Sequence, residues 1–189
     1  MFTLNALPNW MTVIRIAITP LIAILIWIDE PTYGYQLALV LYTIASVTDY
    51  IDGYMARRLQ VESPLGEMLD PIADKLLVAA VLLALASVTT SGWVFLAPAL
   101  IILIREFMIS GLREFLAKHN VSAPVTRLAK WKTTAQILAL GFLMGAPGFP
   151  GFPFAHEIGI TLLWIAAVLT VQTGSGYLIS AVKHVTQSS

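Results

Sequence analysis

Four aspartates stand at helical spacing in two neighbouring apolar stretches, Asp49 and Asp52 in the first, Asp70 and Asp74 in the second. At about 100° of turn per residue, positions 49, 52, 53 and 56 share one stripe of a helix. Two carboxylates there line up with Gly53, which has no side chain, and Ala56, which has only a methyl. Gly66, Asp70 and Asp74 repeat the pattern one turn apart in the next stretch. The connector from Leu59 to Gly66 is short enough to set the two helices antiparallel and side by side, so all four carboxylates can converge. Four negative charges in a small volume repel, and burial alone would protonate most of them. Divalent cations relieve that repulsion. Carboxylate oxygens without Cys or His suit Mg2+ or Mn2+ better than zinc. Two such ions would neutralise four aspartates, and a pair about 3.5–4 Å apart steadies the attacking and leaving oxygens of a phosphoryl transfer. Gly53, Ala56 and Gly66 would then let a bulky ligand lie against bare helix. Close helix packing is the better account of any one small residue alone, but here the small residues share a stripe with the acids.

The elements that position these residues follow from composition. The 189 residues are 58% hydrophobic and only 12% charged, too apolar for a chain with a water-covered surface. Six apolar segments near the ~20 residues needed to cross the hydrocarbon core are expected at about 12–28, 34–57, 67–89, 93–116, 128–146 and 157–182. This predicts an all-α integral membrane protein with six transmembrane helices, folded as a single domain over 1–189. Leu7-Pro8-Asn9-Trp10 reads as a turn and cap leading into the first span. The first, third and fifth connectors hold no Lys or Arg, and all 11 basic residues lie at the other ends of the spans. The positive-inside rule therefore predicts both termini in the cytoplasm and an active-site cavity near the cytoplasmic boundary. Trp27, Tyr33, Tyr35 and Trp93 fall near the opposite boundary, as an aromatic belt would. Met1 to Met11 has no basic residue, so no cleavable signal is expected. Equal numbers of acidic and basic residues, 11 of each, argue against a nucleic-acid partner. No cysteine is present, which excludes disulfides and thiolate metal sites.

Asp49-x2-Asp52-Gly53-x2-Ala56-Arg57-x8-Gly66-x3-Asp70-x3-Asp74 resembles the signature of the CDP-alcohol phosphotransferases at every fixed position. Leu7 to Arg15, Ile104-Arg105-Glu106-Phe107, Gly111-Leu112-Arg113 and Lys130 to Gln136 are similar to the bacterial synthases of that family that take sn-glycerol 3-phosphate. The resemblance implies that the acceptor's hydroxyl attacks the β-phosphorus of CDP-diacylglycerol and releases CMP. It implies metal ligation by Asp49, Asp52, Asp70 and Asp74, with Asp74 also the general base. Gly53, Ala56 and Arg57 match nucleotide-contacting positions, and Gly66 is grouped with them. Arg57, one turn beyond Gly53, stands where a guanidinium can grip a diphosphate. A homodimer among membrane lipids, in the bacterial inner (cytoplasmic) membrane, is implied as well.

The acceptor's phosphate needs its own cations. The resemblance implies Arg105, Arg113 and Lys130, and Arg105, which follows the apolar run Leu100 to Ile104, would be costly without an anion partner. Arg105 and Arg113 lie about 80° apart around a helix, so both can face one cavity. Lys132 points away from Lys130 and is expected to snorkel to headgroups. Glu106 and Glu114, each beside an arginine, read as ion-pair partners; Glu62 and Glu67 as solvated flanks; Lys75 as a charge balancer. Thr12 and Asn9 suit either nucleotide contact or capping. His119, His156 and His184 are assigned to connectors or tail, with no triad or zinc site. Two alternatives stay open: a same-family synthase with an inositol phosphate or phosphatidylglycerol acceptor, and a cation transporter. The transporter is disfavoured by the lack of duplicated halves or helices broken beside the acids.

Overall fold

The computed structural model describes residues 7–28, 33–59, 64–119, 121 and 128–188, with side chains throughout except at 7–9, 50–59, 64, 65, 67, 129, 187 and 188. Six helices and no strand occur among the described residues: α1 (Leu7–Trp27), α2 (Tyr33–Leu59), α3 (Pro64–Val88), α4 (Trp93–Lys118), α5 (Leu128–Gly148) and α6 (Ala155–Ser188). Each expected span falls within one helix but for an end residue, Ile28 after α1 and Thr89 after α3. The entry segment differs from expectation, because helix rather than a turn begins at Leu7. Pro8 falls in the first turn of α1, where its missing N–H would be unpaired in any case.

Among the described residues, four helices are long and apolar enough to cross a membrane: Trp10–Trp27 of α1, Met68–Val88 of α3, Trp93–Lys118 of α4 and Ala155–Thr186 of α6. Asp49, Asp52, Arg57 and Arg58 near the end of α2, and Lys130 and Lys132 at the start of α5, lower the apolar character of the other two. Polarity is inverted relative to a water-soluble bundle. The buried stripe of α1 is Thr12, Arg15, Thr19, Ile22 and Ile26, while Val13, Ile14, Leu21, Ile24 and Trp27 face outward. Apolar surface outside and polar groups inside suit a lipid solvent.

The chain divides into two compact units, residues 1–89 with 140–156, and residues 90–139 with 157–189. In the first, α1 packs against both α2 and α3. The inward face of α2 is Tyr35, Ala38, Tyr42 and Ala45, and Asp49 follows at the same spacing. Tyr35 is thus a core residue rather than a belt residue, whereas Trp27, Tyr33 and Trp93 are exposed. The end of α5 meets α2 through three glycines one turn apart: a Cβ at Gly141 or Gly145 would touch Leu39, and one at Gly148 would lie 3.3 Å from the Gln36 backbone nitrogen. Gln36 Nε2 donates to the Gly148 carbonyl at 2.8 Å, which closes this contact.

In the second unit α4 buries Phe95, Pro98, Ala99, Ile102, Ile109 and Leu116. Its first residue follows Gly92, whose φ of +53° is a left-handed conformation that glycine adopts without steric cost. The facing stripe of α6 contains Leu163, Ala166, Ala167, Thr170 and Thr173, and Trp164 Nε1 donates to the Val94 carbonyl at 3.0 Å.

Gly148→Ala is expected to destabilise the protein by about 1–3 kcal/mol, because the methyl meets backbone that cannot yield. Gly111→Ala, where nothing lies within 4 Å, should be neutral or stabilising by up to ~1 kcal/mol through helix propensity. Thermal unfolding of the purified protein in detergent checks both.

Candidate functional site

The acidic site is assembled on α1. Arg15, only 2% exposed, lies at the centre of that helix's inward stripe and forms ion pairs with Asp49 of α2 and Asp74 of α3, the latter at 3.1 Å. One turn earlier, Thr12 Oγ1 donates to Asp70 Oδ1 at 2.6 Å. One turn later, Thr19 Oγ1 donates to the Arg15 carbonyl at 2.8 Å and so satisfies its hydroxyl within α1. The Asp49 and Asp74 carboxylates meet the same guanidinium nitrogen, Nη1, and so lie side by side. Three of the four aspartates are therefore gathered by two α1 side chains, as the convergence argument requires.

These carboxylates are open rather than packed away. The side chains of Asp49 and Asp74 are 42% and 54% exposed, while the guanidinium behind them is buried. An all-oxygen donor set with a free side fits a hard divalent ion that keeps some coordination sites for other ligands. Among the described residues alone, no group of three or more His, Cys, Asp or Glu side chains is placed to hold a metal ion. Asp52, Gly53, Ala56 and Arg57 lie outside the described side chains, although the α2 backbone stays helical through them to Leu59. Asn9, Glu62 and Glu67 also fall outside the described side chains. Gly66 is buried, within the first turn of α3.

A second polar cluster lies in the other unit. Arg105, with 11% of its side chain exposed, sits between Ile102 and Ile109 on the inward stripe of α4. It donates from Nη2 to Thr173 Oγ1 at 3.0 Å and from Nη1 to Glu106 Oε1 at 3.3 Å. Lys132 also pairs with Glu106 Oε1, so two cations share one carboxylate. The expectation that Lys132 snorkels outward is overturned: it is buried, because Glu106 offers the charge that lipid headgroups would otherwise supply. Arg113 and Lys130 stand exposed. Glu106 and Glu114 are both ion-pair partners as expected, Glu114 with Lys118, one turn on, at 3.0 Å.

The histidines also differ from expectation. His156 and His184 both belong to α6, and the His184 ring lies 5.1 Å from that of His119, the residue that caps α4. Phe115 stacks on His119 at 4.4 Å, which makes this an aromatic cluster.

The residues missed from sequence are Arg15 and Thr12 as organisers of the acids. The signal was present: Arg15, Thr19, Ile22 and Ile26 share Thr12's helical stripe, and a charge on a stripe of that kind demands a buried counter-charge.

A family model described as CDP-alcohol phosphatidyltransferase matches residues 5–172. A CDP-diacylglycerol–glycerol-3-phosphate 3-phosphatidyltransferase of Rickettsia typhi is 44% identical over 171 residues, covering 90% of this chain and 94% of that protein. Proteins of the same name from Pseudomonas fluorescens and Shigella flexneri are 38% and 35% identical and cover 94% and 93% of this chain, and 91% and 94% of their own lengths.

Arg15→Ala should destabilise the protein in EDTA by about 1–3 kcal/mol, less than the 3–5 kcal/mol of a fully buried pair because both carboxylates are half exposed. That corresponds to roughly 3–10 °C in Tm for a chain of this size. Arg15→Lys should recover part of the loss, and Mg2+ should narrow the gap between Arg15→Ala and the parent protein in the same melting experiment.

Proposed function

Because the chain belongs to the CDP-alcohol phosphatidyltransferase family, we propose that it transfers the phosphatidyl group of CDP-diacylglycerol to sn-glycerol 3-phosphate, releasing CMP and giving phosphatidylglycerophosphate. The observation that carries this reading is the gathering of Asp49, Asp70 and Asp74 on the polar stripe of α1, in a chain whose relatives share that activity in their names. Relatives named for glycerol 3-phosphate favour it over an inositol phosphate or phosphatidylglycerol acceptor, and over cation transport.

Asp74 takes the proton of the attacking hydroxyl in this scheme. The new bond forms between that oxygen and the β-phosphorus, and the bond from the β-phosphorus to the bridging oxygen breaks, leaving the electron pair on CMP. Arg15 keeps Asp74 beside Asp49 during this transfer, and Thr12 fixes Asp70. A carboxylate within hydrogen-bond reach of the hydroxyl is suited to that role. The family is in general divalent-metal dependent. Asp49, Asp52, Asp70 and Asp74 would hold Mg2+ or Mn2+, two ions by the charge argument, which supply electrostatic stabilisation to the diphosphate.

Gly53, Ala56, Arg57 and Gly66 would bind the nucleotide. Arg105, Arg113 and Lys130 would bind the acceptor's phosphate, and Lys132 joins them here through its shared carboxylate with Arg105. In the same reading 1–189 is one catalytic domain with six membrane spans, both termini on the cytoplasmic side of a bacterial inner membrane, working as a homodimer. Its site lies near the cytoplasmic boundary, where a soluble acceptor can meet a bilayer-bound donor.

An acceptor screen with purified protein and CDP-diacylglycerol, scored by CMP release, tests the function. Glycerol 3-phosphate should be the preferred acceptor, and preference for another alcohol would overturn the choice. Asp74→Asn should lower turnover by about 10²–10⁴, the usual contribution of a general base, with CDP-diacylglycerol binding largely kept. Loss of nucleotide affinity would make Asp74 chiefly a metal ligand. Excess EDTA should silence the enzyme, and Mg2+ or Mn2+ should restore it.

A further inference from the structure

Arg105 is held more tightly than a ligand-binding arginine on an open surface. Thr173 commits its own hydroxyl proton to the Leu169 carbonyl at 2.8 Å. Its oxygen therefore faces Arg105 as an acceptor, at 3.0 Å from Nη2. At the next residue the arginine stem lies directly against the α6 backbone. A Cβ built on Gly174 would stand 3.1 Å from Arg105 Nε and 3.4 Å from its Cγ. That nitrogen is buried and has no hydrogen-bond partner among the described residues. An N–H without an acceptor is costly, so the stem lies there because Thr173 and Glu106 hold the terminal nitrogens and because α6 has no side chain at 174. Any residue larger than glycine would push the guanidinium away from Thr173. Lys132 and Arg105 share only one carboxylate, which leaves a local excess of positive charge suited to a phosphate.

We propose that Thr173 and Gly174 of α6 are positioning residues that set the orientation of the Arg105 guanidinium toward the phosphate of the acceptor, and so set acceptor affinity. Neither falls within the stretch 5–172 that the family model matches. The inference rests on the reading of Arg105 as an acceptor-phosphate residue.

Steady-state CMP release by the full-length protein in detergent, at varied glycerol 3-phosphate, tests it. Gly174→Ala and Thr173→Val should each raise KM for glycerol 3-phosphate about tenfold, the size expected when a charge-assisted hydrogen bond is weakened. Neither kcat nor KM for CDP-diacylglycerol should move more than about twofold, and Thr173→Ser should restore the parent KM. In an Arg105→Lys background Gly174→Ala should add nothing, since residues acting through one group are not additive. Unchanged KM in Gly174→Ala and Thr173→Val, with a raised KM in Arg105→Ala, overturns the positioning role alone. Unchanged KM in Arg105→Ala removes the acceptor reading and this proposal with it. Should Gly174→Ala fail to accumulate, the Thr173→Val and Thr173→Ser pair decides: a fall in kcat with both KM values unchanged in Thr173→Val would mark a merely structural residue and overturn the proposal.

Discussion

Carboxylates gathered inside an apolar bundle can stay ionised only beside positive charge, and α1 brings that charge to α2 and α3. Arg15 is the only charged side chain on its buried stripe, and it reaches Asp49 and Asp74 at once. Burying a guanidinium is itself unfavourable, and one carboxylate would barely offset it. Two half-exposed carboxylates do better, because they keep part of their hydration while the cation loses nearly all of its own. The stripe changes character along its length. Thr12, Arg15 and Thr19 face the acidic end, and Ile22 and Ile26 fill the other. A single helix thus divides the unit into a polar half that holds the acids and an apolar half that holds the helices together.

The second unit repeats the inversion with a different balance of charge, two cations around one carboxylate. There a cation, Arg105, occupies the inward stripe, and Glu106, Lys132 and Thr173 surround it. Apolar residues such as Ile104, Phe107 and Trp131 cover the outside. Among the described residues, one cluster therefore holds more carboxylates than cations and the other more cations than carboxylates.

The acidic stripe was legible in the sequence because helical periodicity acts on every residue alike: Asp49 continues the spacing of Tyr35, Ala38, Tyr42 and Ala45. The six helices were legible for the same reason. Partner choice was not. Arg15 satisfies the positive-inside rule as well as an ion pair, so its charge alone did not reveal the carboxylates across from it. Lys130 and Lys132 could be told apart by angle, but angle does not say which side of α5 faces inward. That depends on Glu106, 26 residues away in sequence. Gly174 was silent for a related reason, since a glycine shows its purpose only when the side chain lying on it is known.

Charge arithmetic joins the ion pair to the proposed chemistry. With all three ionised, Asp49, Asp70 and Asp74 would carry three negative charges against one on Arg15, an excess of two that a single divalent ion would balance. In the proposed site Asp52 would raise that excess to three, and two divalent ions would then leave one net positive charge. That surplus is what an incoming diphosphate requires, because four aspartates with two ions and no arginine would be neutral and would attract it less. Arg15 keeps Asp49 and Asp74 together, and in the proposed site it would also tip the ion-loaded carboxylates toward an anionic ligand. A neutral residue at position 15 would do neither, and a second arginine on the stripe would compete with the ions for the same oxygens.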